Sequence, residues 1–61
     1  MKYEIHGSIE IEVGDYWRDS MGNRWMITSV NPQEIIAMSE IDSLERLFRP
    51  ESFYRRFRFE A

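Results

Sequence analysis

The run RWMITSVNPQEIIAMSE, residues 24–40, constrains this chain more than any other feature. Two stretches rich in apolar and β-branched residues flank Asn31-Pro32-Gln33-Glu34. Such residues suit a pleated, half-buried surface, and a proline presets φ for the second position of a turn. The segment predicts a β-hairpin with residues 24–30 and 35–40 as its strands. Trp25, Ile27 and one of Ile35 or Ile36 are its expected core side chains. Apolar residues occupy both faces, so one face is expected to pack the core. The other is expected to meet the N-terminal segment or a partner.

The rest of the chain reads the same way. Ile9-Glu10-Ile11-Glu12-Val13 alternates strictly, placing its aliphatics on one face and both glutamates on the other. Residues 2–6 alternate more weakly, and Gly7-Ser8 either joins two short strands or marks a bulge in one. Tyr16-Trp17-Arg18 follows the break at Gly14-Asp15 as a short extended piece. Residues 19–23 are turn formers, with Gly22 or Asn23 able to take positive φ. Ile41-Asp42-Ser43 predicts a turn. Residues 44–48 read as a strand, although Leu44, Leu47 and Phe48 also fit a helical spacing. Pro50 is favoured at a first helical position and Glu51 suits the positive end of the helix dipole. Phe53 and Phe57 lie four apart and would share a face. Residues 50–56 therefore predict one or two helical turns, and residues 57–59 a closing strand.

Sixty-one residues make one domain at most, and a chain this short is marginally stable. It has no cysteine, so disulfides and thiolate metal sites are excluded. Two tryptophans, three tyrosines and four phenylalanines supply the core instead, since each ring buries a large area. Short strands with regular turn signals predict a mainly β fold, a small barrel or rolled antiparallel sheet with one late helical turn.

VGDYWRDSMGNRWMITSV, followed by LFRPESFYRRF, resembles the small SH3-like barrel proteins of uncharacterised function found in bacteriophages, prophages and bacteria. The matching positions are Gly14, Tyr16, Trp17, Gly22, Trp25, Arg49, Pro50, Phe53 or Tyr54, and Phe57. The resemblance covers residues 13–59 and leaves residues 1–12 as an added strand or hairpin. It implies a five-strand SH3-like fold and a phage or prophage source, and it implies no reaction. Small barrels of this kind bind peptides, proteins or nucleic acids, and fold by itself does not fix function.

Charge is unevenly placed. Residues 1–45 set Lys2, Arg18 and Arg24 against nine carboxylates, and residues 46–61 set five arginines against Glu51 and Glu60. Two candidate surfaces follow. The first joins the adjacent aromatics Tyr16 and Trp17, one of which must point away from the core, to an acidic face of Glu10, Glu12, Asp15 and Asp19. It predicts docking on a basic protein partner, a host protein if the source is phage, or on a second copy through the N-terminal strand edge. The second is Arg46, Arg49, Arg55, Arg56 and Arg58 interleaved with aromatics including Tyr54. Rings stacking on bases and arginines tracking phosphates would bind nucleic acid. The net charge of −3 weighs against that surface, because a nucleic-acid binder usually has a basic footprint.

Catalysis is not expected. His6, the single histidine, has no serine in a nucleophile motif to serve. Glu10 and Glu12 share a strand face, as a cation site or a glycosidase pair would, but a half-exposed strand alternates in the same way. The glycines at 7, 14 and 22 have neither P-loop nor dinucleotide spacing, so no cofactor is expected. No segment approaches the length of a membrane span, and no basic stretch precedes an apolar run at the N-terminus. A cytoplasmic location is the expectation.

Overall fold

A computed structural model describes residues 2–5 and 9–60, with the backbone alone for residues 2–5 and Ile9. His6, Gly7 and Ser8 lie outside the described residues, and so do the readings that fell on them. The strands are β1 (Lys2–Ile5), β2 (Ile9–Glu12), β3 (Tyr16–Asp19), β4 (Arg24–Val30), β5 (Ile35–Ser39), β6 (Glu45–Phe48) and β7 (Phe57–Phe59). One helix, α1 (Pro50–Arg56), separates β6 from β7. The fold is mainly β, as expected.

β3 to β6 form an antiparallel meander, and β7 returns to pair with β3, giving the order β6-β5-β4-β3-β7. β6 and β7 stand at opposite ends of this order and do not pair, so the sheet is not closed into a barrel. β1 and β2 make a separate antiparallel hairpin within the chain, with Lys2 opposite Glu12 and Ile5 opposite Ile9. The expected alternation through Val13 stops early: β2 ends at Glu12, and Val13 sits exposed in the following turn.

The central hairpin forms as the sequence predicts. Asn31 Oδ1 accepts the backbone N–H groups of Gln33 and Glu34, both at 2.9 Å, which closes the turn ahead of β5. Trp25, Ile27, Ile35 and Ala37 point into the core. A register shift between Ile27 and Ser29 brings Val30 inward as well. Ile36 therefore faces outward, half-buried, in line with Met26 and Met38. β1 packs beside α1 and β2 beside β4, and Ile11 of β2 is fully buried in the same core. β2 thus adds Ile11 to the core of the five-stranded sheet.

Residues 45–48 resolve as strand rather than helix, with Leu44 just ahead of it and Phe48 buried. α1 begins with Pro50 directly after the extended Arg49 and carries Glu51 in its first turn and Arg55 and Arg56 in its last. Phe53 and Phe57 share a face and stack, with ring centroids 4.3 Å apart and planes 10° from parallel. Edge-on contacts extend the cluster: Trp17 to Phe53 at 5.1 Å, Trp25 to Phe57 at 5.6 Å and Trp25 to Phe48 at 5.7 Å. Aromatic pairs contribute about 0.5–1.5 kcal/mol each beyond their area, which matters in a core of this size. Gly22, at φ 85°, supplies the left-handed turn between β3 and β4.

Candidate functional site

The N-terminal hairpin and the C-terminal segment meet along a groove of about 1120 Å³. One wall is acidic: Glu10 and Glu12 on β2, Asp15 in the following loop, and Asp19 at the end of β3. The same groove is lined by Tyr54, Arg55 and Arg56 on α1 and by Arg58 on β7, and Trp17, Phe57 and Phe59 complete its lining. Parts of the two surfaces that appear separate in the sequence therefore line one groove.

Local hydrogen bonds fix the acidic wall. Asp15 Oδ2 accepts the Glu12 N–H at 2.9 Å, and the Asp15 N–H donates back to the Glu12 carbonyl at 3.0 Å. Gly14 donates to the Ile27 carbonyl, and Ile27 to the Asp15 carbonyl, at 2.8 and 2.9 Å. These bonds fasten the end of β2 to β4. Asp19 gathers four donors: the backbone N–H groups of Met21 and Asn23, the Asn23 amide, and the Trp25 indole. Desolvation is the largest single influence on its carboxyl and pushes the pKa up. The bonds from Trp25, Asn23 and Met21 together outweigh it and hold the pKa below the ordinary value of 3.8. Asp15 and Asp19 thus build the wall as well as charge it. Glu10, Glu12 and Tyr54 are engaged in contacts of their own.

The arginine-bearing part of the lining is set by the helix-to-strand junction. With Phe53 and Phe57 turned inward, Tyr54, Arg55 and Arg56 are left exposed. Arg56 lies over the Phe48 ring at 5.5 Å from its centroid. β7 follows α1 without a linker, since Phe57 is both the helix C-cap and the first strand residue.

The structure decides between the two adjacent aromatics. Trp17 is 2% exposed and belongs to the core, so it cannot serve as an exposed anchor. β3 turns it inward opposite Trp25, and Phe53 and Phe59 pack against its ring. Tyr16 points to the outer face of the sheet, away from Trp17, where the Arg24 guanidinium covers its ring at 3.7 Å. The most exposed aromatic lining the groove is Phe59, which keeps 55% of its surface accessible while its ring packs edge-on to Trp17 at 5.4 Å. Its signal in the sequence was period-2 spacing from Phe57 across Arg58. The five C-terminal arginines do not form one track either. Arg46 lies on β6 within 3.5 Å of Asp42, and Arg49 follows β6, while Arg55, Arg56 and Arg58 line the groove.

Among the described residues, no group of three or more His, Cys, Asp or Glu side chains is placed to hold a metal ion. Nor is any helix among them long and apolar enough to cross a membrane. No protein-family model matches the chain, and no curated protein or solved structure matches it.

Proposed function

We propose that the chain is a non-enzymatic protein-interaction module whose groove receives an extended segment of a partner protein. The observation that carries this reading is a single groove lined by half-exposed Phe59, by four carboxylates and by three arginines. An aromatic ring flanked by charges of both signs suits a peptide with an apolar anchor and charged neighbours. Backbone groups support the same mode. The Glu60 N–H donates to the Tyr16 carbonyl at 3.0 Å, so the neighbouring Phe59 backbone turns away from β3. β7 has β3 on one side and no other strand among the described residues, and β2 has only β1. An extended segment laid between them would add a strand at the β7 edge. The resemblance to phage and prophage proteins makes a host protein, in the host cytoplasm, the partner of interest.

Nucleic-acid binding is the second reading. Arg55, Arg56 and Arg58 with Tyr54 and Phe59 are the right residue types for it. Four carboxylates line the same groove, however, and charge of that sign repels a phosphate chain.

A display library of short extended peptides, panned against the wild type and against Phe59→Ser protein, tests the proposal. Peptides with an apolar anchor and both charge signs should be enriched on the wild type and lost on Phe59→Ser. Enrichment that ignores this substitution would remove the groove from consideration. Single-stranded oligonucleotides provide the other arm. Steeply salt-dependent binding that disappears when Arg55, Arg56 and Arg58 become alanine would replace the protein reading with the nucleic-acid one.

A further inference from the structure

β6 ends the sheet: β5 covers one of its edges, and among the described residues no strand covers the other. Its backbone groups alternate between the two sides. The Ser39 N–H donates to the Leu44 carbonyl at 3.0 Å, and the ladder continues with Ala37 opposite Arg46 and Ile35 opposite Phe48. Antiparallel partners alternate between pairs that exchange hydrogen bonds and pairs that do not. The backbone groups of Leu44, Arg46 and Phe48 therefore turn toward β5, and those of Glu45 and Leu47 turn toward the open edge. The Arg49 N–H follows the same alternation, while the Arg49 carbonyl accepts the Phe53 N–H at 2.9 Å as the helix begins.

The side chains carry a second pattern. Phe48 points inward and Leu47 outward, 58% exposed. Glu45 shares the outer face with Leu47, and Arg49, still in extended backbone, continues it. The outer edge thus reads acid, leucine, base at every second residue. Under a two-fold rotation about Leu47 this order is its own complement. Leu47 meets Leu47 of the second copy, and each Glu45 meets Arg49 of the other.

We propose that a second copy of this chain adds to the β6 edge, antiparallel, with the two-fold axis at Leu47. The residues whose backbone faces the open edge are the same ones whose side chains match in this register. Leu47 exchanges both backbone hydrogen bonds with its counterpart, and each Arg49 N–H reaches the Glu45 carbonyl opposite. Placing the axis two residues either way sets Glu45 on Glu45 or Arg49 on Arg49, so charge selects one register. Charged residues on an edge strand commonly serve to prevent pairing. Here their order opposes the two-fold registers centred on Glu45 or Arg49 and favours the one centred on Leu47. Ile36, beside Leu47, and Met38, beside Glu45, extend the apolar part of the contact over the outer face. Such an interface is isologous, as closed dimers are. It lies at the opposite end of the strand order from β7, so the groove and this edge are separate surfaces.

Sedimentation equilibrium over a concentration series tests the proposal, with circular dichroism to confirm that each variant is folded. The substituted side chains are exposed, so the fold should persist. Wild type should dimerise with concentration. Glu45→Arg alone and Arg49→Glu alone each set like charges together twice and should weaken association roughly tenfold or more. The double substitution restores opposite charges in reversed order and should return association to about the wild-type level. A wild type that stays monomeric throughout, single variants that associate like wild type, or a folded double variant that stays dissociated would each overturn the proposal.

Discussion

The Trp25 indole N–H donates to Asp19 Oδ2 at 3.0 Å, across the turn that joins β3 to β4. This bond ties a core ring to the same carboxylate that organises the turn backbone. It also explains how a charged side chain comes to sit at the end of a strand whose neighbours are buried aromatics. The Asp19 pKa is lower in the fold than its ordinary 3.8. A carboxyl with a depressed folded pKa contributes stability that is fully present above the unfolded value and is lost as pH falls through the folded one.

Stability should therefore decline on acidification below the ordinary aspartate range, with Asp19 among the causes. Urea unfolding followed by tryptophan fluorescence between about pH 5 and pH 2 measures it. Asp19→Asn should cost about 1–2 kcal/mol at neutral pH, because the charge-assisted bonds to three residues weaken. Its acid limb should also be shallower than that of the wild type. Equal limbs would show that Asp19 does not titrate against folding.

Tyr16 and Trp17 are adjacent in sequence and should differ sharply on truncation. Trp17 is buried and touches Phe53 and Phe59 edge-on. Trp17→Ala should cost about 3–5 kcal/mol, a large share of the whole stability of a marginal domain. Tyr16 is half-buried on the outer face beneath Arg24. Tyr16→Ala should cost about 1 kcal/mol and leave the domain folded. Thermal unfolding of the two variants decides this: similar melting temperatures would contradict the assignment of the two rings to opposite faces.

Elements were legible wherever the cue was local. Pro50, Glu51 and the Phe53–Phe57 spacing specify α1 from cues inside or next to it, and Asn31-Pro32 specifies its turn through the Asn31 side chain. Parity was harder. With apolar residues on both faces of residues 24–40, nothing local separates Ile35 from Ile36, and the register shift after Ile27 moves Val30 inward. The adjacent pair Tyr16 and Trp17 posed the same difficulty, settled in the structure by Trp17 lying opposite Trp25. The groove was least legible. It depends on Glu10 and Glu12 standing near Arg55, Arg56 and Arg58, residues more than forty positions away. Only the return of β7 to β3 and the packing of β1 beside α1 bring them together.

Glu60 anchors a charge arrangement that the strand register imposes. Arg18 lies directly opposite Arg24 on one side and Arg58 on the other, so three arginines stand abreast across β4, β3 and β7. Like charges placed opposite each other destabilise a sheet. Glu60 offsets this, with Oε1 at 2.6 Å from Arg18 Nε and Oε2 at 3.3 Å from Arg24 Nε. Glu40 adds a longer contact to Arg24 at 3.5 Å. The Arg24 Nε–H makes no hydrogen bond, so these contacts act on it through charge, beside its packing on Tyr16. Glu60→Gln should cost about 1 kcal/mol in low salt, the upper range for partly exposed ion pairs. The loss should shrink as salt screens the arginines from one another. Arg18→Gln in the Glu60→Gln background should recover part of it by breaking the row at its middle. Denaturant titrations of the wild type and both variants, in dilute buffer and in high salt, measure each step. A Glu60→Gln cost that is the same at both ionic strengths would mean that Glu60 stabilises the fold by packing rather than by balancing this row of charge.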